Sequence, residues 1–305
     1  MTEPEPWGRR ARSMAEMGVI HGRTMEPPVL MASIRAYRPR ATDIVISPAG
    51  KCGTTWLQQT FHTLRTGGDM DFDDISRVVP WIETALSLGL DINAEQRANP
   101  RGFKSHLSWH NVPKGAKYIV SVRDPKDAFV SAYRFMEGWY FEPGTISYEE
   151  YFDAQRERRG KGLDIWSHLV SWWQQRENPD VLLLSYEHMV ADRELAIRRI
   201  ADFCGIALDD KLLALTLEHT SMAFMLRYKD RFDDAMLREV SETRGGLPRG
   251  SDSAKVRKGG SGGHRQELPA SVSQELDAIW ATDVLPATGH ADYASLEAAV
   301  RLLAA

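Results

Sequence analysis

Four short apolar runs stand out along the chain: residues 43–47 (DIVIS), 102–105 (GFKS), Lys117–Val122 (KYIVSV) and 180–185 (DVLLLS). Runs this short, bounded by Gly, Pro, Asp and Ser, fit strands buried on both faces. Between them the apolar spacing lengthens to that of a helix. Leu57, Phe61 and Leu64 recur at i, i+4 and i+7 after the first run. Residues 128–136 predict a second helix, with Asp124 as N-cap and Pro125 at the first position. Trp166, Leu169, Val170 and Trp173 mark a third. Asp192 can cap a fourth over 194–204, with Gly205 just past its end. A helical tail is predicted over 273–280.

Strands alternating with helices predict an α/β fold with a central, mostly parallel sheet flanked by helices, in three layers. No linker-like stretch divides the chain before residue 240, so a single domain is expected over residues 1–305, with 1–40 as an N-terminal extension. Residues 241–264 hold seven glycines among scattered charges. They read either as a flexible surface loop or as a lid over a ligand.

Composition narrows the setting. With 305 residues and 43% hydrophobic content, the chain is long enough to bury a large core. A net charge of −4 gives no global pull toward nucleic acid or an anionic membrane. Cys52 and Cys204 are the two cysteines, which suits a reducing compartment and no disulfide framework. No apolar segment follows Arg9, Arg10 and Arg12, and no run nears the ~18 apolar residues of a membrane span. A cytoplasmic location is expected.

The chemistry begins after the first strand, at Pro48-Ala49-Gly50-Lys51-Cys52-Gly53-Thr54-Thr55-Trp56. A glycine-containing turn that feeds a helix exposes free backbone N–H groups, and the helix dipole adds positive charge. Lys51 adds a full charge, and Thr54 and Thr55 add hydroxyl donors. This is a P-loop-like phosphate cradle. A Walker A loop would carry Ser or Thr after its lysine and a leading glycine; here those positions are Cys52 and Val45. The Mg²⁺-binding hydroxyl is missing from its usual place, which favours a metal-free anion site. Cys52 reads in two ways: a passive substitute for a serine, or a thiol whose pKa the helix N-terminus lowers and whose alkylation would then block donor binding.

The pattern PxGKCGTTW resembles the 5′-phosphosulfate loop of cytosolic-type sulfotransferases, commonly YPKSGTTW. Those enzymes use 3′-phosphoadenosine 5′-phosphosulfate (PAPS). The match covers Lys51, Gly53, Thr54, Thr55 and Trp56, with Cys52 for the usual serine and two extra residues after Pro48. The resemblance implies that these residues hold the donor and that Trp56 stacks on its adenine. Arg123 and Ser131, eight residues apart, resemble the family's grip on the 3′-phosphate. The run from Arg257 and Lys258 through Gly259 to Gly263 resembles its RKGxxGDW element, with Gly262-Gly263-His264 in place of GDW. The segment LLLSYEHM adds Tyr186, and Met222 follows Thr220-Ser221 where the family has an adenine-stacking aromatic. The family's C-terminal dimer signature, KxxxTVxxxE, is not seen; Pro269, Ala270 and Gln274 fall at its positions. The oligomeric state stays open.

Sulfuryl transfer needs a deprotonated nucleophile, a neutralised leaving phosphate and in-line geometry. Lys104-Ser105-His106, at the end of the second strand, resembles the family's KTH. The resemblance implies His106 as general base, Lys104 beside the sulfuryl oxygens and Lys51 on the leaving group, with PAP as product. His62, His110 and His264 have no such context. Trp81, Phe135, Trp139, Tyr140 and Phe141 are candidates for an acceptor pocket suited to a phenol, alcohol, steroid-like or lipid hydroxyl. A P-loop phosphotransferase and a non-catalytic nucleotide-binding module remain as alternatives.

Overall fold

The computed structural model describes residues 8–303 except 158, 160–163, 254, 257 and 258. Strands β1 (Ile44–Ile46), β2 (Gly102–Lys104), β3 (Lys117–Val122) and β4 (Val181–Ser185) lie in the order β2-β1-β3-β4, and every pair is parallel. Ile46 pairs with Lys104 on one side and Ile119 on the other. Side chains alternate between faces along each strand. Val45, Phe103, Tyr118, Val120 and Leu183 enter one hydrophobic cluster, and Ile44, Ile46, Ile119, Leu182 and Leu184 enter the other. The runs are apolar throughout because both faces are covered.

The helix Thr54–Thr66 packs Leu57, Phe61 and Leu64 on the second face. The Phe61 ring lies so close to Gly102 that no Cβ fits there, which explains a glycine in a strand interior. The helices Pro125–Trp139 and Ile165–Trp173 cover the first face with Phe129, Tyr133, Leu169 and Trp172. Asp124 caps the former, accepting from the Lys126 amide at 2.8 Å. Asp192 caps Arg193–Cys204, which ends at Gly205 in the left-handed conformation. The tail helix runs Ala270–Ile279.

The chain leaves β1 for β2 on one side, and leaves β3 for β4 on the other. Adjacent strands whose connections diverge open a crevice at their C-terminal ends, where α/β proteins bind ligands. The glycine loop follows β1 and Arg123 follows β3, so both sit in that crevice.

Two segments carry more order than their sequence patterns predict. The helices Met14–Thr24 and Pro27–Ala36 lie within the first forty residues and bury Met17, Ile20 and Ser33. Gly18, His21 and Gly22 obscure the period of the first. At the other end, the helix Ala235–Thr243 runs into residues 241–264, and a short helix starts at His264. The described residues between them are in neither helix nor strand.

Candidate active site

The loop after β1 turns sharply at Lys51, whose φ of 67° is left-handed, and again at Gly53, with φ 95°. Gly53 is the N-cap of Thr54–Thr66 and offers no side chain to that helix's first turn. Thr54 Oγ1 is buried without a hydrogen-bond partner. An uncapped helix start, an orphaned buried hydroxyl and a lysine fit a phosphate or sulfate oxygen. Lys51 Nζ lies 4.4 Å from the centre of the Phe135 ring. Burial, then the neighbouring Lys255, lowers its pKa to about 7.

Cys52 corrects one expectation. It is buried beneath the loop with Ala49 and Ala128. Burial pushes its thiol up to about 12 and outweighs the opposing pull of Arg123. Cys52 is therefore a packing residue and no reactive thiol.

The parallel register sets Lys104 beside Ile46, at the root of the loop. Its Nζ lies 3.9 Å from the centre of the Trp81 ring and 3.6 Å from Asp234 Oδ1. Burial lowers its pKa to about 8, although Asp234 opposes the shift. His106 is held from two directions. Its backbone N–H donates to Glu83 Oε1 at 2.7 Å, and its Nδ1 lies 2.8 Å from the Pro48 carbonyl. A carbonyl only accepts, so Nδ1 carries the proton and Nε2 keeps its lone pair. Burial, then Lys104, pushes the imidazole down to about 3, so the ring is neutral. Behind the loop, His168 Nε2 lies 3.0 Å from the Ser47 carbonyl.

Arg123 ties the loop to the glycine-rich segment. It donates to the Lys51 carbonyl at 2.8 Å and to the Gly260 carbonyl at 3.1 Å, and its guanidinium lies 4.2 Å from the centre of the Tyr186 ring. Tyr186 also closes over Gly53, where a Cβ would lie 2.9 Å from the ring. The Trp56 indole donates to the Thr220 carbonyl at 3.1 Å. The tip of the Met222 side chain packs against Gly259. Arg257 and Lys258 lie outside the described residues.

One cavity of about 840 Å³ joins these groups. Lys51, Gly53, Thr54, Thr55, Trp56, Ser131, Tyr186, Met222 and Gly259 line it with Arg123, Lys104 and His106. Trp81, Phe135, Trp139 and Tyr140 form an aromatic wall, joined by His21 from the helix Met14–Thr24 and by Met25 just after it. Phe141 is fully buried in the core and does not reach the cavity, contrary to the sequence expectation. Its neighbours' aromatic pattern gives no sign of which ring turns inward.

Sequence reasoning missed Asp234, Lys255, Glu83 and the tie between Asp127 and His264. Asp127 accepts from the Gly262 amide at 2.5 Å and the His264 amide at 3.0 Å, and lies 2.9 Å from His264 Nδ1. Gly263 and His264 stand where the family has the Asp and Trp of GDW, and that substitution was the available signal.

A loop with the features of a phosphate cradle and a lysine–histidine pair thus share one cavity, an arrangement suited to group transfer from an anionic donor. The sulfotransferase domain model matches residues 41–287, and the chain belongs to the sulfotransferase family. It is 23% identical over 274 residues to human sulfotransferase 1C2, covering 86% of this chain and 90% of that protein. In fold it is similar to mouse sulfotransferase SULT7A1 complexed with PAP, with a TM-score of 0.65 at 20% identity over 92% of this chain and 95% of that one. It is also similar to retinol dehydratase in complex with androsterone and PAP, with a TM-score of 0.66 at 20% identity over 91% and 95%. Family membership makes the chain a sulfotransferase and sets aside the phosphotransferase and binding-module alternatives.

Proposed function

We propose that the protein moves a sulfuryl group from PAPS to the hydroxyl of a small lipophilic acceptor, with His106 as general base. The observation that carries this reading is the Pro48 carbonyl on His106 Nδ1. The loop proposed to hold the donor thereby fixes the tautomer of the proposed base. His106 Nε2 accepts the acceptor's proton as its oxygen attacks sulfur. The sulfur–oxygen bond to the 5′-phosphate breaks, and its electron pair leaves on PAP. Lys51 meets the charge on that phosphate, and Lys104 meets the sulfuryl oxygens. Arg123, Ser131, Arg257 and Lys258 hold the 3′-phosphate. These cations do the neutralising, so no metal is required.

The wall of Trp81, Phe135, Trp139 and Tyr140 supports a phenol, alcohol, steroid-like or lipid acceptor. Androsterone in the complex of the structurally similar retinol dehydratase is consistent with that class. Among the described residues no helix is long and apolar enough to cross a membrane. That fits work on acceptors in the cytoplasm.

Incubation with PAPS and a panel of phenols and alcohols in EDTA should give sulfated product and PAP. His106→Ala should leave PAP affinity nearly unchanged and lower turnover about 10²- to 10⁴-fold, the usual loss of a general base. Unchanged turnover would remove the assignment.

A further inference from the structure

Asp234 is a buried aspartate in the left-handed conformation, with φ 48°. It occupies the N-cap position of Ala235–Thr243, where an aspartate ordinarily accepts from the helix's own amides. It makes no such bond; Asp74 Oδ2 instead takes the Met236 amide at 3.0 Å. The freed carboxylate faces two ammonium groups. Its Oδ1 lies 2.6 Å from Lys255 Nζ and 3.6 Å from Lys104 Nζ. One carboxylate is thus shared by two lysines. Among the described residues, no carboxylate pairs with Lys51, the third cation of the same cavity. This cluster is short of negative charge, and an anion entering it would make up the deficit.

Lys255 is not a loose surface lysine. Its side chain is 9% exposed. The segment that carries it is docked: the Ser253 hydroxyl donates to Asp233, and Arg238 donates to the Ser251 carbonyl at 2.6 Å. The Asp252 carbonyl approaches Gly138 so closely that a Cβ there would lie 2.5 Å away. Lys255 is therefore delivered to the centre by a fixed backbone. Its charge depresses the pKa of Lys51, Lys104 and His106 alike, so it acts on all three groups of the proposed machinery.

We propose that Lys255 is a further catalytic residue, carried by the glycine-rich segment, that binds an oxygen of the sulfuryl group during transfer while Asp234 holds it in place. The proposal rests on the PAPS-dependent reaction given above. In that step the acceptor oxygen bonds to sulfur, the sulfur–oxygen bond to PAP breaks, and His106 holds the proton. Lys255 forms and breaks no covalent bond. PAP lacks the sulfuryl group, so Lys255 should matter to turnover and hardly to PAP binding.

The test compares wild type, Lys255→Met, Lys255→Arg, Asp234→Asn and the Lys255→Met/Asp234→Asn pair, measuring PAP affinity by calorimetry and turnover with PAPS. Lys255→Met should lower kcat about a hundredfold, the typical loss of one transition-state donor, with PAP affinity nearly unchanged. Lys255→Arg should recover part of it. The double variant should remain slow. If Lys255 only neutralised Asp234, removing both charges would restore turnover close to wild type, and that result would overturn the proposal. So would a Lys255→Met enzyme as fast as wild type, with the reaction itself intact. A wild-type chain that binds PAP but forms no product from PAPS would instead overturn the reaction, and this inference with it.

Discussion

At the scale of single residues, the lysines and the histidine of the proposed machinery are forced toward their neutral forms. Burial lowers Lys51 to about 7 and Lys104 to about 8, from an ordinary lysine value of 10.5. Above pH 7 the empty site therefore sheds part of the charge that a phosphate needs. A bound polyanion favours the ammonium forms and raises both values. Binding of PAP at pH 8 should accordingly take up protons. Calorimetry in two buffers of different ionisation enthalpy reads that uptake directly, and zero or negative uptake would contradict this charge balance. The same shifts bear on stability. Between about 7 and 10.5 the unfolded chain binds more protons at these lysines than the folded chain does. Their contribution to the empty protein's stability therefore rises with pH across that window and is lost as pH falls through it. His106 obeys the same logic. Its imidazole stays neutral above about 3, so it is never lost to protonation near neutrality. Its basicity is lowered first by burial and then by Lys104 and Lys255, whose charge Asp234 only partly offsets, and negative charge on the donor raises it.

At the scale of elements, the joint between β1 and the helix Thr54–Thr66 does the most. Gly53 has φ 95°, and a Cβ there would meet Tyr186 at 2.9 Å and Met189 at 3.2 Å. Two unrelated constraints thus fall on one residue. Gly53→Ala would pay about 1–2 kcal/mol for the left-handed backbone alone, before any displacement of Tyr186. We expect that cost to lower the Tm, and the displacement of the loop from Tyr186 to weaken PAP binding. A variant equal to wild type in both would show that the loop relaxes without strain. The motif singles out this glycine by its place before Thr54 and Thr55, but not the ring above it. Tyr186 comes from the end of β4, and only the order β2-β1-β3-β4 folds that end over the loop.

At the scale of the whole molecule, three imidazoles link folding to pH, His62 and His168 in the interior and His106 half-buried at the cavity. His62, His106 and His168 are held down to about 3, 3 and 4, in each case first by burial. On unfolding they return to about 6.5, so below that pH the unfolded chain binds more protons and stability falls as pH falls. Each imidazole contributes about 1.4 kcal/mol per pH unit between roughly 6 and 4. The urea midpoint at pH 5 should lie clearly below that at pH 7.5, with an unchanged m value. Equal midpoints would mean that these rings are solvated in the folded state.

The amino-acid sequence by itself determined the local elements and the local chemistry. Continuous apolar runs marked four strands, because a sheet covered on both faces leaves no polar alternation. Helical spacing with Asp124, Asp192 and Gly205 fixed helix ends, because caps act within one turn. The order of glycine, lysine and threonines marked the loop proposed to bind the donor for the same reason: a cradle of consecutive amides is encoded by consecutive residues. The tertiary structure alone decided what converges on that loop. Nothing near Asp234 or Lys255 in the chain announces that they meet Lys104, since the meeting depends on how a helix start and a glycine-rich segment dock. The buried state of Cys52, the inward turn of Tyr140 and the outward loss of Phe141 from the cavity were decided there too. Burial, which comes first among the causes that lower Lys51, Lys104 and His106, is a property of packing in three dimensions, and residue order does not carry it.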